Sequence, residues 1–177
     1  KAYYLLIGFL FFIMLVALCQ DQQIADSLKK MYQQKNLSDA ARFELLLELA
    51  FNETNDLKLA LKYADYLIQL STQKGNNYYL HKGYFQKGSI KRLMGDLDES
   101  ISYFFKSGDI AHKANNLTGE GNSYGAIADI YAVSGNHPNA RLYYSKAIAT
   151  LRQTDDSIAL ASAILNSGDE FLNNKMF

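Results

Sequence analysis

Residues 121–151 read GNSYGAIADIYAVSGNHPNARLYYSKAIATL. Two helix-length stretches flank Ser134-Gly135-Asn136, where glycine can stop one helix and asparagine can cap the next. Pro138 falls in the first turn of the second stretch, where its missing N–H does no harm. The small residues Ala128 and Ala140 predict a close approach of the two helices, with Tyr131 and Tyr144 filling the space beside them. The pattern is a code for packing helix on helix.

Outward from this stretch, a shift of forty residues brings the chain into register with itself. Gly135-Asn136-His137 aligns with Gly95-Asp96-Leu97 and with Asn55-Asp56-Leu57; Tyr143 with Tyr103 and Tyr63; Asn116 with Asn76; Tyr124 with Tyr84; Lys146 with Lys106. Each unit reads as two helices and a tight turn. In the second unit a helix is expected over 82–94, broken by Gly95, and Asp96 with Glu99 three residues on predicts a capping box for the next helix. The units fall at about 41–80, 81–120 and 121–160, with a truncated fourth over 161–177 that stops before a second helix.

Tyr124, Ile127, Ala128, Tyr131, Gly135, Ala140, Tyr144 and Ala147 stand where tetratricopeptide repeats place large, large, small, aromatic, glycine, small, aromatic and small residues, so the chain resembles that family. The second unit matches at Tyr84, Gly88, Gly95, Ser100 and Phe104 but has Lys91 in place of an aromatic. The first matches at Leu47, Phe51, Ala60 and Ala64 but has Glu48 at the close-approach position, which makes it the atypical, capping-like unit. The period exceeds the common thirty-four, and longer helices would absorb the difference. The resemblance implies an all-α fold, a right-handed α-solenoid of helical hairpins. It also implies a protein or peptide ligand lying along the concave face built from the first helix of each unit.

Composition agrees. The chain of 177 residues is 49% hydrophobic and 20% charged, with one proline and no tryptophan, which suits a globular protein of long helices. Eighteen basic residues balance eighteen acidic ones, so no positive field points to nucleic acid. The single cysteine, Cys19, excludes an internal disulfide framework and a cysteine-based metal cluster.

Lys1 is followed by an uncharged run, AYYLLIGFLFFIMLVAL, over residues 2–18. Such a run lacks a polar helical face and reads as an export segment over 1–19: a signal cleaved before Gln20, an uncleaved membrane anchor through residues 2–18, or a lipidated Cys19. Each version sends the rest of the chain to the periplasmic side of a bacterial inner membrane, anchored or secreted. Residues 20–40 are expected to supply a linker and a capping helix that lays Ile24, Leu28 and Met31 against the first unit.

No catalytic constellation is visible: there is no nucleophile elbow, no phosphate-binding glycine loop and no HExxH. His81, His112 and His137 occupy three different repeat positions, so neither metal nor cofactor is expected. The concave-face positions are Arg42, Leu49, Asn52 and Glu53 in the first unit; Lys82, Phe85, Ser89 and Arg92 in the second; Asn122, Asp129 and Val133 in the third; and Asp169 and Asn173 in the fourth. Asp129 opposes an acidic ligand. The expected function is an interaction module, the sensory region of a bacterial membrane signalling protein whose kinase, cyclase or DNA-binding output lies downstream. The alternatives are a stand-alone or lipid-anchored scaffold for envelope complexes, and an enzyme with its catalytic domain beyond Phe177.

Overall fold

The computed structural model describes residues 23–33 and 37–174, with side chains as far as residue 172. The export segment expected over 1–19 lies outside the described residues. Among those described there is no strand, and no helix is long and apolar enough to cross a membrane. Eight helices follow one another: α1 (23–32), α2 (Asp39–Asn52), α3 (Leu57–Lys74), α4 (Asn77–Leu93), α5 (Leu97–Lys113), α6 (Leu117–Val133), α7 (His137–Leu151) and α8 (Ser157–Asn174). They divide into two packed units, Lys1–Leu67 and Ile68–Phe177.

In the first unit Ser38 caps α2, its Oγ accepting Ala41 N–H at 3.2 Å. Phe43, Leu46, Leu47, Leu49 and Ala50 of α2 and Ala60, Ala64 and Leu67 of α3 are buried. Helix α1 joins them with a different face from the one expected. Ala25 is buried and Tyr32 meets Tyr63 edge-on at 6.5 Å, while Ile24 and Met31 are exposed. Lys29 fixes that rotation: its ammonium pairs with the buried Glu53 carboxylate at 2.5 Å, which raises the lysine pKa.

In the second unit helices α4 to α8 each begin twenty residues after the one before. Helices of 17 residues separated by three-residue turns produce the forty-residue period. The four turns from α3 to α7 share one geometry. Gly75, Gly95, Asn115 and Gly135 adopt left-handed φ of 63°, 85°, 53° and 73°. The next residue then donates back to the last helical turn: Asn76 to Ser71, Asp96 to Lys91, Asn116 to Ala111 and Asn136 to Tyr131, all at 2.8–2.9 Å. These are Schellman closures, and only glycine or asparagine enters that φ region cheaply.

The residue after each closure caps the next helix. Asn76, Asn116 and Asn136 accept N–H groups from Tyr79, Gly119 and Asn139. The helix expected from residue 82 therefore begins five residues earlier, at Asn77. Asp96 departs from the pattern and makes no side-chain cap bond. Lys91, which stands where the third unit has Tyr131, instead takes Asp96 and Glu99 at 2.9 Å each, so the expected capping box is replaced by an ion-pair cluster.

Consecutive helices from α4 to α8 pack on one another, and alternate ones also touch, α4 with α6 and α6 with α8. Small residues set the approaches. Gly88 leaves room for the Phe104 ring, which would lie 2.9 Å from an added Cβ, and Ser100 Oγ donates to the Gly88 carbonyl at 2.7 Å. In the third unit Ala128, Ala140 and Tyr144 form a buried cluster with Tyr131 beside it. The repeated tyrosines and lysines form one arrangement twice. Lys106 lies over Tyr103 and Tyr84, and Lys146 lies over Tyr143 and Tyr124, with ring-centroid distances of 4.8–6.0 Å.

Candidate functional site

Helices α4, α6 and α8 are the first helices of successive hairpins; all three line one hollow in the second unit, and α6 and α8 with α7 line another. The larger, about 390 Å³, is walled by Phe85 of α4, Asn122, Gly125 and Asp129 of α6, and Ile158 and Ser162 of α8. The second, about 370 Å³, is lined by Val133 of α6, His137 and Tyr144 of α7, and Asn166, Asp169 and Glu170 of α8. Tyr144 and Asn166 border both.

At the shared border Tyr144 Oη donates to Asp129 Oδ1 at 2.6 Å, and Asn166 Nδ2 donates to the same oxygen at 3.2 Å. Burial and then the Asp129 carboxylate raise the Tyr144 pKa, so the phenol stays protonated and remains a donor. Below it His137 Nδ1 meets the buried Glu170 carboxylate at 2.8 Å. Gly125 contributes openness: a Cβ built there meets nothing within 4 Å. The surface offers acceptors, amides and exposed aliphatic groups.

Five of the expected groove residues, Phe85, Asn122, Asp129, Val133 and Asp169, line these hollows. Lys82 lies over the Tyr78 ring at 4.3 Å, Ser89 donates to the Phe85 carbonyl at 3.1 Å and Arg92 is exposed; none of the three lines either hollow. Asn173 is on α8, its side chain beyond the described ones. The first unit corrects the projection. Leu49 is 0% exposed, Glu53 is buried against Lys29, and Asn52 is buried and donates to the Glu48 carbonyl at 2.8 Å, leaving Arg42 as the exposed one of the four.

The reason is the link. Four residues join α2 to α3, where three join α4 to α5 and α6 to α7. One extra residue turns a helix by about 100° relative to a fixed projection. The outward stripe of α2 is thus Glu44, Glu48 and Phe51, and Glu48 points away from the core position assigned to it. Tyr144, Asn166, Ser162 and Gly125 were not expected in the groove. Ser162 and Asn166 follow Asn122 and Ala126 by forty residues, and that register could have found them.

The three histidines are held separately. His81 is buried, with Nε2 accepting from Asn116 Nδ2 at 3.0 Å and its carbonyl accepting from Ser107 Oγ at 2.9 Å; burial, then Lys82, lowers its pKa to about 4. His112 Nδ1 meets Glu120 at 3.0 Å. Among the described residues no group of three or more His, Cys, Asp or Glu could hold a metal ion.

The fold and the groove define an all-helical chain of repeat-like hairpins. Among solved structures it is similar to the crystal structure of BtubC (BKLC) from P. vanneervenii, a helical-repeat protein, with a TM-score of 0.65 at 10% identity. The match covers 82% of this chain and 61% of that one, so the chain spans less than two thirds of its length. No protein-family model matches the chain, and no curated protein does.

Proposed function

We propose that this chain is a tetratricopeptide-like right-handed α-solenoid whose concave face binds a peptide segment of a partner protein. The observation that carries the reading is the open groove lined by three successive first helices, α4, α6 and α8. The twenty-residue spacing of helix starts and the contacts between alternate helices support the solenoid. Amides at Asn122 and Asn166 suit recognition of a peptide backbone, and Ile158 and Phe85 offer apolar contact for its side chains.

The uncharged run over residues 2–18 supports placing the array outside the cytoplasm, as the sensory region of a membrane signalling protein or as a periplasmic scaffold. Selection from a displayed random-peptide library tests the groove. Sequences enriched on the chain should be lost on a Gly125→Phe variant that fills it, and identical enrichment on both would refute the reading. A reporter enzyme active only outside the cytoplasm, fused after residue 22, tests export: activity supports it, and a silent fusion refutes it.

A further inference from the structure

The charge of the groove is not that of the chain. Helices α6 and α8 bring Asp129, Asp169 and Glu170 to the hollows, and neither helix contains a lysine or arginine. No lysine or arginine lines either hollow. Asp169 follows Asp129 by forty residues, so the two carboxylates hold the same position on successive first helices. At that position α4 has Ser89, so the acidic character belongs to the α6–α8 stretch.

These carboxylates are not all committed to holding the fold. Asp156 is spent on the Ala159 N–H as the cap of α8, and Glu170 on His137. Asp129 receives both of its hydrogen bonds on Oδ1, which leaves Oδ2 for a ligand. Both donors, a phenol and an amide, are neutral, so they bring no positive charge to the carboxylate. Asp169 is exposed at the lip of the second hollow. Beside them Ile158 and Val133 are 79% and 82% exposed, apolar surface of the kind that marks a contact site.

We propose that the α6–α8 groove selects a basic peptide segment, its lysine or arginine set against Asp129 and Asp169 and its aliphatic residues against Ile158 and Val133. The proposal rests on the peptide-binding reading above and adds the chemistry of the partner. An acidic segment would face like charge from Asp129 of α6 and Asp169 of α8. A basic one meets complementary charge along the register of the helices, which raises its association rate as well as its affinity.

The test is fluorescence anisotropy of the chain with a short fluorescein-labelled peptide of alternating leucine and lysine, and with its glutamine and glutamate counterparts. The lysine peptide should bind about tenfold more tightly than the glutamate one, with the preference collapsing between about 0.05 M and about 0.5 M salt. Asp129→Asn and Asp169→Asn should each weaken the lysine peptide about two- to fivefold and leave the glutamine peptide unchanged. Gly125→Phe, or Ser162→Phe where a second block is needed, should abolish binding of all three peptides.

Equal binding of lysine and glutamate peptides, both blocked by Gly125→Phe, would overturn the charge selection and leave the peptide groove standing. Lysine-peptide binding indifferent to both blocking variants would overturn the groove itself.

Discussion

Gly121 and Gly125 lie one turn apart on α6, and alanine should stabilise the chain at the second site and not at the first. Both glycines are in the helix interior, where glycine costs about 1 kcal/mol relative to alanine. At Gly125 a new Cβ meets nothing within 4 Å, so Gly125→Ala should recover about 1 kcal/mol. At Gly121 the same atom would lie 2.6 Å from Leu151 Cγ and 2.8 Å from its Cδ2, far inside the ordinary carbon contact of about 3.5–4.0 Å. Leu151 cannot yield easily, being 1% exposed in a cluster with Ala147 and Ala163. Overpacking of that kind costs about 1–3 kcal/mol, which cancels or reverses the helix gain. The two variants should therefore differ by about 1–3 kcal/mol, or about 3–10 °C in melting temperature for a chain of this size. Circular dichroism melts, with urea midpoints alongside, measure it. Equal shifts, or a loss at Gly125, would refute the α6–α7 packing and the openness of the groove floor.

Three further outcomes follow from particular contacts. The folded-state pKa of His81, about 4, is below its ordinary value of 6.5, so the unfolded chain binds more protons between those values. Stability from this group is fully present above about pH 6.5 and falls by about 3 kcal/mol as pH drops through about 4. Urea midpoints of the chain should drop more steeply across that window than those of His81→Gln, and parallel curves would count against the buried neutral ring. Gly135→Ala forces a side chain into φ 73° and should cost about 1–2 kcal/mol, whereas Asn115→Gly at φ 53° should be neutral or slightly stabilising in the same assay. Tyr144→Phe removes a 2.6 Å bond to a carboxylate and should cost about 1–3 kcal/mol, against less than about 0.5 kcal/mol for the neighbouring Tyr143→Phe.

What could be read from the residues follows how local the governing physics is. The turns were legible because Gly95 and Gly135 must take a left-handed φ and the next residue must close the helix, a rule contained in a few adjacent residues. The Ala128–Ala140 approach was legible because the period brings small residues opposite one another. The true start of helix α4 is hidden because its cap, Asn76, is followed by Asn77 and two tyrosines, which do not read as a helix start. The face of α1 was missed because a non-local ion pair, Lys29 with Glu53, overrides its apolar spacing. In the first unit one extra link residue rotates the projected positions, and its mark in the sequence is Glu48 at the close-approach position beside Leu49 in the groove stripe.

The same uniformity separates the residues that hold the fold from those that would choose a ligand. From α4 to α8 helix starts repeat every twenty residues, and α4, α5 and α6 are equivalent in length and closure. Their roles differ only through side chains. Gly88, Ser100, Ala128 and Ala140 sit at the approaches and are buried, so replacing any of them disturbs packing. Ser89, Asp129 and Asp169 share one position on successive first helices, and none is buried or caps a helix. Along the array that position changes from neutral to acidic while the turns on either side of α6 keep their geometry. The charge at that position can thus change while the turns keep their geometry, with Asp129 serving both ends, since its Oδ1 also anchors Tyr144 of the buried cluster.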